Sequence, residues 1–230
     1  MPMSDQPNTL PWYQLLHLAD SALPTGGFAF SSGLESSARL GLIRDMADLD
    51  DFLTIAIRQA RQAELPFVFA GHAAITTGDA AIVALVKRYD AWLLTPTIRR
   101  GSLTQGRAWL TLAPCIFPDH DWQSLRQLLA TRALPTHLAP VFGLIMGQLH
   151  VDTERVQALF LYACIRDLTS AAIRLGLLGP QEGHALLARF CQSPEFTEPV
   201  PTMDAAYRTA PLLEIAQSKH NDLYTKLFQS

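Results

Sequence analysis

The spacing of apolar residues constrains the fold most, because they recur at helical intervals through nearly the whole chain. Ile82, Leu85, Val86, Tyr89 and Leu93, for example, share one face of a helix. Proline and glycine separate such segments, and no stretch shows a sustained alternation of apolar and polar residues. The sequence therefore predicts an all-α protein, a single-domain helical bundle of about nine or ten helices.

Two local patterns add detail to these helices. Asp48 and Asp152 each precede an apolar helical segment and are predicted to cap it, and Asp121 precedes a shorter one. Gly143 and Gly147 lie four residues apart, which predicts a face of small residues that another helix can approach closely.

The pattern also predicts how the chain is divided. Residues 1–10 are polar and contain proline, which predicts a disordered N-terminal tail. Residues 11–190 carry the helical pattern and form the predicted core. Residues 191–210 form the only long proline-rich stretch and are interpreted as a linker. Residues 211–230 return to helical spacing, which predicts a C-terminal docking helix and tail.

The stretch LLHLADSALPTGGFAFSSGLE, residues 15–35, predicts a helix, an aromatic turn and a second helix. Pro24 disfavours helix at the residue before it, and the glycines that follow permit a turn. Ser32 and Glu35 match a capping box for the next helix. Phe28 and Phe30 either plug the core or face a partner. No Lys or Arg lies between His17 and Arg39, so a phosphate cradle is not favoured.

Composition narrows the class of partner. Hydrophobic residues make up 49% of the chain and charged residues 17%, which suggests apolar surface covered by another chain. The net charge is −3 without a basic run, which argues against nucleic acid. No signal peptide is present, and prolines interrupt the uncharged stretch 133–151, so a buried helix is favoured over a membrane span. We therefore expect a cytoplasmic protein.

No motif for catalysis or metal binding is present. The 3 cysteines are far apart, and no two of the 7 histidines lie four residues apart. A G-x-S-x-G motif is absent. We predict no catalytic residue, no metal ligand and no cofactor. Two alternatives stay open: a metal site with histidines gathered from several helices, and a hydrolase assembled from isolated residues. For Arg166, Asp167 and Arg174, an internal salt bridge and an interface role are both open.

Five segments in the same order resemble the urease accessory protein UreF family. The first is LLHLADSALPTGGFAFSSGLE, and the last is APLLEIAQSKHNDLYTKLFQS. Between them lie RRGSLTQGRAWL, THLAPVFGLIMG and SAAIRLGLLGPQEGHALL. The resemblance extends from about residue 12 to residue 230.

The resemblance implies an all-helical, non-enzymatic homodimer that binds a second accessory protein, UreD (also called UreH). That complex recruits the GTPase UreG to apo-urease for nickel insertion, and nickel and GTP belong to the partners. The alternative function is that of a nickel-binding chaperone, which would use histidines assembled across helices. We expect partner contacts in the turn and the tail, and we expect the tail after about Ser218 to order on a partner. The expected partner-binding residues are Pro24, Gly26, Gly27, Phe28, Phe30, Glu35, Lys219, His220, Tyr224, Lys226 and Phe228.

The chain departs from the family pattern in both segments. The turn reads FAFS where the family usually has F-S-Y-S, so the tyrosine hydroxyl is missing at Phe30. In the tail, Lys219, Asn221, Lys226 and Gln229 replace arginine or glutamate. Lysine cannot reproduce the bidentate fork of arginine, so these changes predict altered ion pairing with a partner.

Overall fold

A computed structural model describes residues 10–208, 210–220 and 224–229. Throughout these residues the regular secondary structure is helical, which confirms the predicted all-α class. Most of the predicted N-terminal tail lies outside the described residues, as do Asn221, Leu223 and Ser230. Leu10 is described and packs, partly buried, against the core.

The described residues contain eleven α-helices. Their bounds are α1 Trp12–Leu18, α2 Leu34–Arg39, α3 Met46–Gln59, α4 Leu65–Thr77, α5 Asp79–Trp92, α6 Pro96–Ile116, α7 Trp122–Thr131, α8 Leu138–Gln148, α9 Thr153–Arg174, α10 Pro180–Phe190 and α11 Pro211–Lys219. Short 3-10 turns lie at Gly27–Ala29, Pro194–Phe196 and Met203–Ala205. A π-helical turn, Ala60–Glu64, joins α3 to α4. If α3, this turn and α4 are counted as one continuous helix, the described residues contain ten helices, within the predicted nine or ten.

The centre of the core is α8, which is buried along nearly its whole length. It packs closely on α4 because Gly143 and Gly147 present no side chain there: a Cβ at Gly143 would overlap the carbonyl of Val68. The predicted small-residue face of α8 is therefore confirmed. Phe142 on the same helix stacks on Trp109 at 5.2 Å and on Phe160 at 5.4 Å between ring centroids. Aromatic packing of this kind ties α6 and α9 to the central helix.

Side-chain caps fix several helix starts. Asp152 accepts a hydrogen bond from the Arg155 amide, so the cap predicted there is confirmed. Asp121, which precedes the predicted short helix, caps it by accepting from the Ser124 amide. The predicted cap of α3 at Asp48 is wrong by three residues. Asp45 caps this helix by accepting from the Asp48 amide at 2.9 Å, because the chain enters the helix at Met46.

The longest helix, α9, lies across the middle of the fold. It has the length and composition of a membrane span, but half of its most apolar window is buried inside the protein. The same test is passed by core helices of compact proteins. Another part of α9 lines an open groove beside α1. One face of α9 is thus buried in the core, and another face is open to solvent at the groove.

The segment interpreted as a linker, residues 191–210, packs against α3, the π-helical turn and α9. Glu195 is buried and accepts hydrogen bonds from Arg58 at 3.1 Å and from Arg61. The side-chain amide of Gln157 donates to the carbonyl of Glu195 at 3.0 Å. These contacts fix the start of the segment on the helical bundle. The division into core, linker and docking helix stays a prediction.

Candidate functional site

The aromatic turn and the C-terminal tail meet on one side of the protein. The Gln229 amide donates to the Ala29 carbonyl at 2.8 Å, and the Gln217 side chain donates to the Ser32 carbonyl at 2.9 Å. We call residues 24–35 together with residues 217–220 and 224–229 the turn–tail cluster. The sequence predicted both segments separately as contact regions. No local pattern indicated that they contact each other, because nearly two hundred residues separate them.

Glu35 holds the tail within the single chain, where the sequence led us to expect a tail that orders on a partner. Its side chain is fully buried, and its carboxylate accepts hydrogen bonds from the amides of Leu227 at 2.8 Å and Phe228 at 3.2 Å. His220, also fully buried, lies 3.1 Å from the same carboxylate through Nε2. A buried carboxylate must be satisfied by such donors, because burial without them is costly.

The predicted capping box at Ser32 and Glu35 is therefore wrong. Helix α2 begins at Leu34 after Gly33, which has a φ of +89° and no side chain to act as a cap. The hydroxyl of Ser31, not that of Ser32, accepts from the Glu35 amide at 3.4 Å. Ser32 itself has a φ of +50°, which does not suit a capping residue. The Glu35 carboxylate satisfies tail amides instead of a local amide. Long-range donors thus replace the local bond that the sequence pattern indicated.

Arg174, at the end of α9, lies between two aromatic rings of the cluster. Its guanidinium carbon is 3.5 Å from the ring centroid of Phe28 and 4.2 Å from that of Phe228. It also donates to the Phe28 carbonyl at 2.6 Å. Burial lowers the pKa of Arg174, and the charge of Asp167 opposes that change. Arg174 thus forms a cation–π bridge between turn and tail, which is neither of the two roles considered for it, and an interface role stays a prediction.

Gly27 permits close packing of the turn on α9. A Cβ at this position would overlap the Asp167 carboxylate. Asp167 pairs with the neighbouring Arg166 at 2.7 Å, and Arg166 also donates to the Ala19 carbonyl at 2.7 Å. Burial raises the pKa of the Asp167 carboxyl, although the charge of Arg166 opposes this. The charges of Arg166 and Asp167 therefore form an internal salt bridge beneath the turn.

The predicted contact residues fall into two layers. The inner layer is buried and contains Gly27, Phe30, Glu35, His220 and Phe228. The outer layer is exposed and contains Pro24, Phe28, Lys219, Tyr224 and Lys226, while Gly26 is intermediate. The side chain of Phe28 is 57% exposed, and that of Tyr224 is completely exposed. The outer layer presents aromatic and cationic groups to solvent, and the inner layer holds them in place.

A second exposed apolar region lies between α1 and α9, and we call it the α1–α9 groove. Its volume is about 1030 Å³, and its walls include Leu159, Tyr162 and Ile173. Trp12 and Leu16 of α1 stand at its edge with exposed fractions of 68% and 69%. Large apolar side chains that stay in water at such a groove indicate a protein contact.

One set of polar residues is arranged like a catalytic relay. His137 is fully buried, with Nε2 2.9 Å from Asp90 Oδ1 and Nδ1 3.3 Å from Ser102 Oγ. The Ser102 hydroxyl also accepts from the Leu138 amide at 3.0 Å, at the start of α8. Burial lowers the pKa of His137, against the opposing effect of Asp90. The Ser102 hydroxyl thus caps the start of α8, and the hydrogen bonds of His137 join α8 to α5 and α6. We interpret the role of these residues as structural.

Other reactive groups are dispersed in the described part of the chain. No three His, Cys, Asp or Glu side chains converge there as a metal site would require. Burial raises the pKa of the Cys164 thiol to about 12, so it is protonated at neutral pH. His72 contacts the Val151 carbonyl at 2.6 Å, far from the turn–tail cluster. His72, His137 and His220 each contact a different acceptor and do not share a site.

Fold and surface together define a class: an all-helical protein whose candidate site is an aromatic contact surface. Comparison with known proteins gives the particular family. The UreF family model matches residues 43–191, and the chain belongs to the UreF family of urease accessory proteins. The resemblance seen in the sequence is confirmed.

Relatives in plants and bacteria align over nearly the whole chain. Urease accessory protein F of Oryza sativa subsp. indica is 33% identical over 217 residues, which cover 92% of this chain and 82% of that protein. The Arabidopsis thaliana protein of the same name is 32% identical, covering 99% of this chain and 96% of that protein. UreF of Paenarthrobacter aurescens is 30% identical over 95% of this chain and 98% of its own length.

Proposed function

We propose that this chain is a non-catalytic scaffold in urease maturation, acting in the cytoplasm. Together with UreD (UreH) it recruits the GTPase UreG to apo-urease, where nickel is inserted into the active site. Nickel and GTP are carried by the partners. Family membership supports a role in urease maturation, and the specific partners are part of the proposal.

The observation that carries this proposal is the arrangement of the outer layer. Tyr224 is completely exposed. It lies three and four residues before Leu227 and Phe228, whose amides donate to the buried Glu35 carboxylate. Phe28 is exposed on the same cluster, where Arg174 orders its ring. Exposed aromatic side chains on a backbone that is held in place make efficient anchors, because less conformational entropy is lost on binding than from a disordered segment.

Co-purification tests the scaffold directly. The chain is expressed with its UreD and UreG partners, and the complex is isolated without added nucleotide or metal. The proposal expects a ternary complex under these conditions, because contact surfaces rather than a bound ligand hold it together. Failure of the complex to form, with each protein folded, would contradict the proposal.

We further propose that the chain forms a homodimer through the α1–α9 groove. In a twofold contact each copy presents the same patch, so one surface must supply both the protruding and the recessed part. Here Trp12 and Leu16 protrude at the edge of a groove walled by Tyr162 and Ile173. The scarcity of charge in the whole chain also suits an apolar homodimer contact.

Replacement of Leu16 tests this dimer. The variant Leu16→Arg places a charge at the groove edge, and we expect it to raise the dimer dissociation constant about a hundredfold. Sedimentation velocity measures the change. Leu94→Arg is the matched control, since Leu94 is 87% exposed and does not line the groove. Equal self-association of the two variants would rule out this face.

A further inference from the structure

A third apolar region lies on α3 and α11, and neither the turn–tail cluster nor the α1–α9 groove includes its exposed side chains. Its volume is about 620 Å³. Leu42, Ile55, Tyr207 and Leu212 line it, and each keeps about half or more of its surface in water. We call it the α3–α11 groove. Exposed apolar residues on an ordinary surface are scattered singly, whereas here four large ones lie on one groove.

Helix α11 supplies one wall because it is apolar on two sides. Leu213 and Ala216 are buried against the core, whereas Leu212 and Ile215 are exposed by 71% and 53%. Spacing of three residues places Leu212 and Ile215 on one outward face. A helix that packs on the core through one apolar face alone would carry polar residues on its outward face. The second apolar face therefore points to another occupant.

Helix α3 supplies the other wall and sets the charge of the groove. Asp48, Asp51, Ile55 and Arg58 follow at helical spacing and all line it. Asp48 pairs with Arg44 at 2.9 Å, and Arg58 pairs with Glu195 at 3.1 Å. Asp51 is exposed, and no ion pair joins it to another residue in the described ranges. The groove therefore combines an apolar floor with a carboxylate that a cation from outside can neutralise.

The shape of the groove favours a helix as occupant. From Asp48 to Arg58 the wall rises about 15 Å at 1.5 Å per residue, which is nearly three helical turns. A second copy of this chain suits it less well. A twofold contact would bring two Asp51 side chains to one interface, and the cation on the groove wall, Arg58, already has Glu195 as its acidic partner.

We propose that the α3–α11 groove binds an amphipathic helix of another protein, which places apolar residues on Leu212 and Ile55 and a Lys or Arg beside Asp51. Such helix-in-groove recognition depends on apolar anchors at intervals of three and four residues. This inference stands apart from the proposed function, because it concerns a surface that the turn and tail do not use. It is tested on the isolated chain, whatever the co-purification with UreD and UreG shows.

The probe is a fluorescent synthetic peptide of about 14 residues, matched to the length of the groove, with leucine on one helical face and lysine on the other. Fluorescence anisotropy measures its affinity for the purified chain at low and high salt. We expect saturable binding that weakens with salt, because the Asp51 contact is screened. A matched peptide with glutamate in place of lysine is expected to bind at least about tenfold more weakly.

Variants locate the binding on the chain. The double variant Leu212→Ser/Ile55→Ser is expected to weaken binding about tenfold, and Asp51→Asn about threefold with a reduced salt dependence. Leu94→Ser is the control, because Leu94 is exposed elsewhere and its loss is expected to change nothing. The replaced side chains are exposed, so the packing of the core is expected to stay the same in each variant. An unchanged thermal unfolding temperature then confirms that each protein is folded.

Three results would overturn the proposal. The first is absence of binding, and the second is equal weakening by Leu94→Ser and by the double variant. The third is self-association of the wild-type chain that the double variant abolishes, since that would identify a second copy as the occupant. A photoreactive group in the peptide gives an independent measurement, because the proposal expects cross-links to α3 and α11.

Discussion

The inner and outer layers of the turn–tail cluster are built from the same short stretches of sequence but have opposite environments. Glu35 and His220 are completely buried, whereas Tyr224 is completely exposed four residues after His220. The inner layer joins segments that are distant in sequence, with the hydrogen bonds of Glu35 at its centre. The outer layer consists of side chains that contact solvent. The difference indicates that the buried residues position the turn and the tail, and that the exposed residues make up the surface that a partner can contact.

The largest effect is expected from Glu35, because three donors converge on its carboxylate. Glu35→Gln leaves buried donors without a charged acceptor, and we expect a loss of about 3 kcal/mol in the free energy of unfolding. We also expect faster hydrogen exchange at the Leu227 and Phe228 amides. Urea denaturation and hydrogen-exchange mass spectrometry measure the two changes.

A control separates this effect from a general loss of acidic charge. Asp119→Asn changes an exposed carboxylate outside the cluster and is expected to leave both measurements unchanged. If Glu35→Gln were as stable as wild type, with the tail amides equally protected, the inner layer would not hold the tail.

A smaller effect is expected from the glycine before α2. Gly33 and Gly41 both have positive φ, but a Cβ at Gly33 would lie 2.7 Å from Gln217 Cγ, whereas Gly41 faces open space. Both alanine substitutions strain the backbone by about 1 kcal/mol. We expect Gly33→Ala to cost about 1 kcal/mol more in unfolding free energy, because Gln217 must move and lose its bond to Ser32. Equal costs for the two variants would show that α11 does not pack tightly on the turn.

Acid is expected to weaken the helical core through His137. His137 is buried between α5 and α8, and its pKa is lowered there, so the unfolded chain takes up a proton first, near pH 6.5. The stability linked to His137 is therefore present above pH 6.5 and is lost as the pH falls below it. The slope is at most about 1.4 kcal/mol per pH unit for one group.

Urea denaturation between pH 8 and pH 5 measures this loss, and His137→Gln provides the comparison, since glutamine does not titrate. We expect a steeper decline in unfolding free energy for the wild-type chain than for the variant. Parallel curves would mean that protonation of His137 does not limit the stability of the core.

Local patterns predicted the helices well and the site only in part. Apolar periodicity and the acidic caps at Asp121 and Asp152 depend on neighbouring residues, so the all-α class and these helix starts could be read from the sequence. The Glu35 prediction was wrong in its mechanism, because its true donors lie nearly two hundred residues away. Arg174 illustrates the same limit, since no spacing rule places Phe28 and Phe228 on its two sides.

The most direct test of the account is the affinity of the purified chain for UreD, compared between wild type and Tyr224→Ala. Isothermal titration calorimetry gives the dissociation constant, and thermal unfolding of the free chain is measured in parallel. The account predicts an affinity at least about tenfold weaker with an unchanged melting temperature, because Tyr224 has its whole side chain in solvent. Unchanged affinity in a folded Tyr224→Ala chain would contradict the claim that the outer layer is the contact surface.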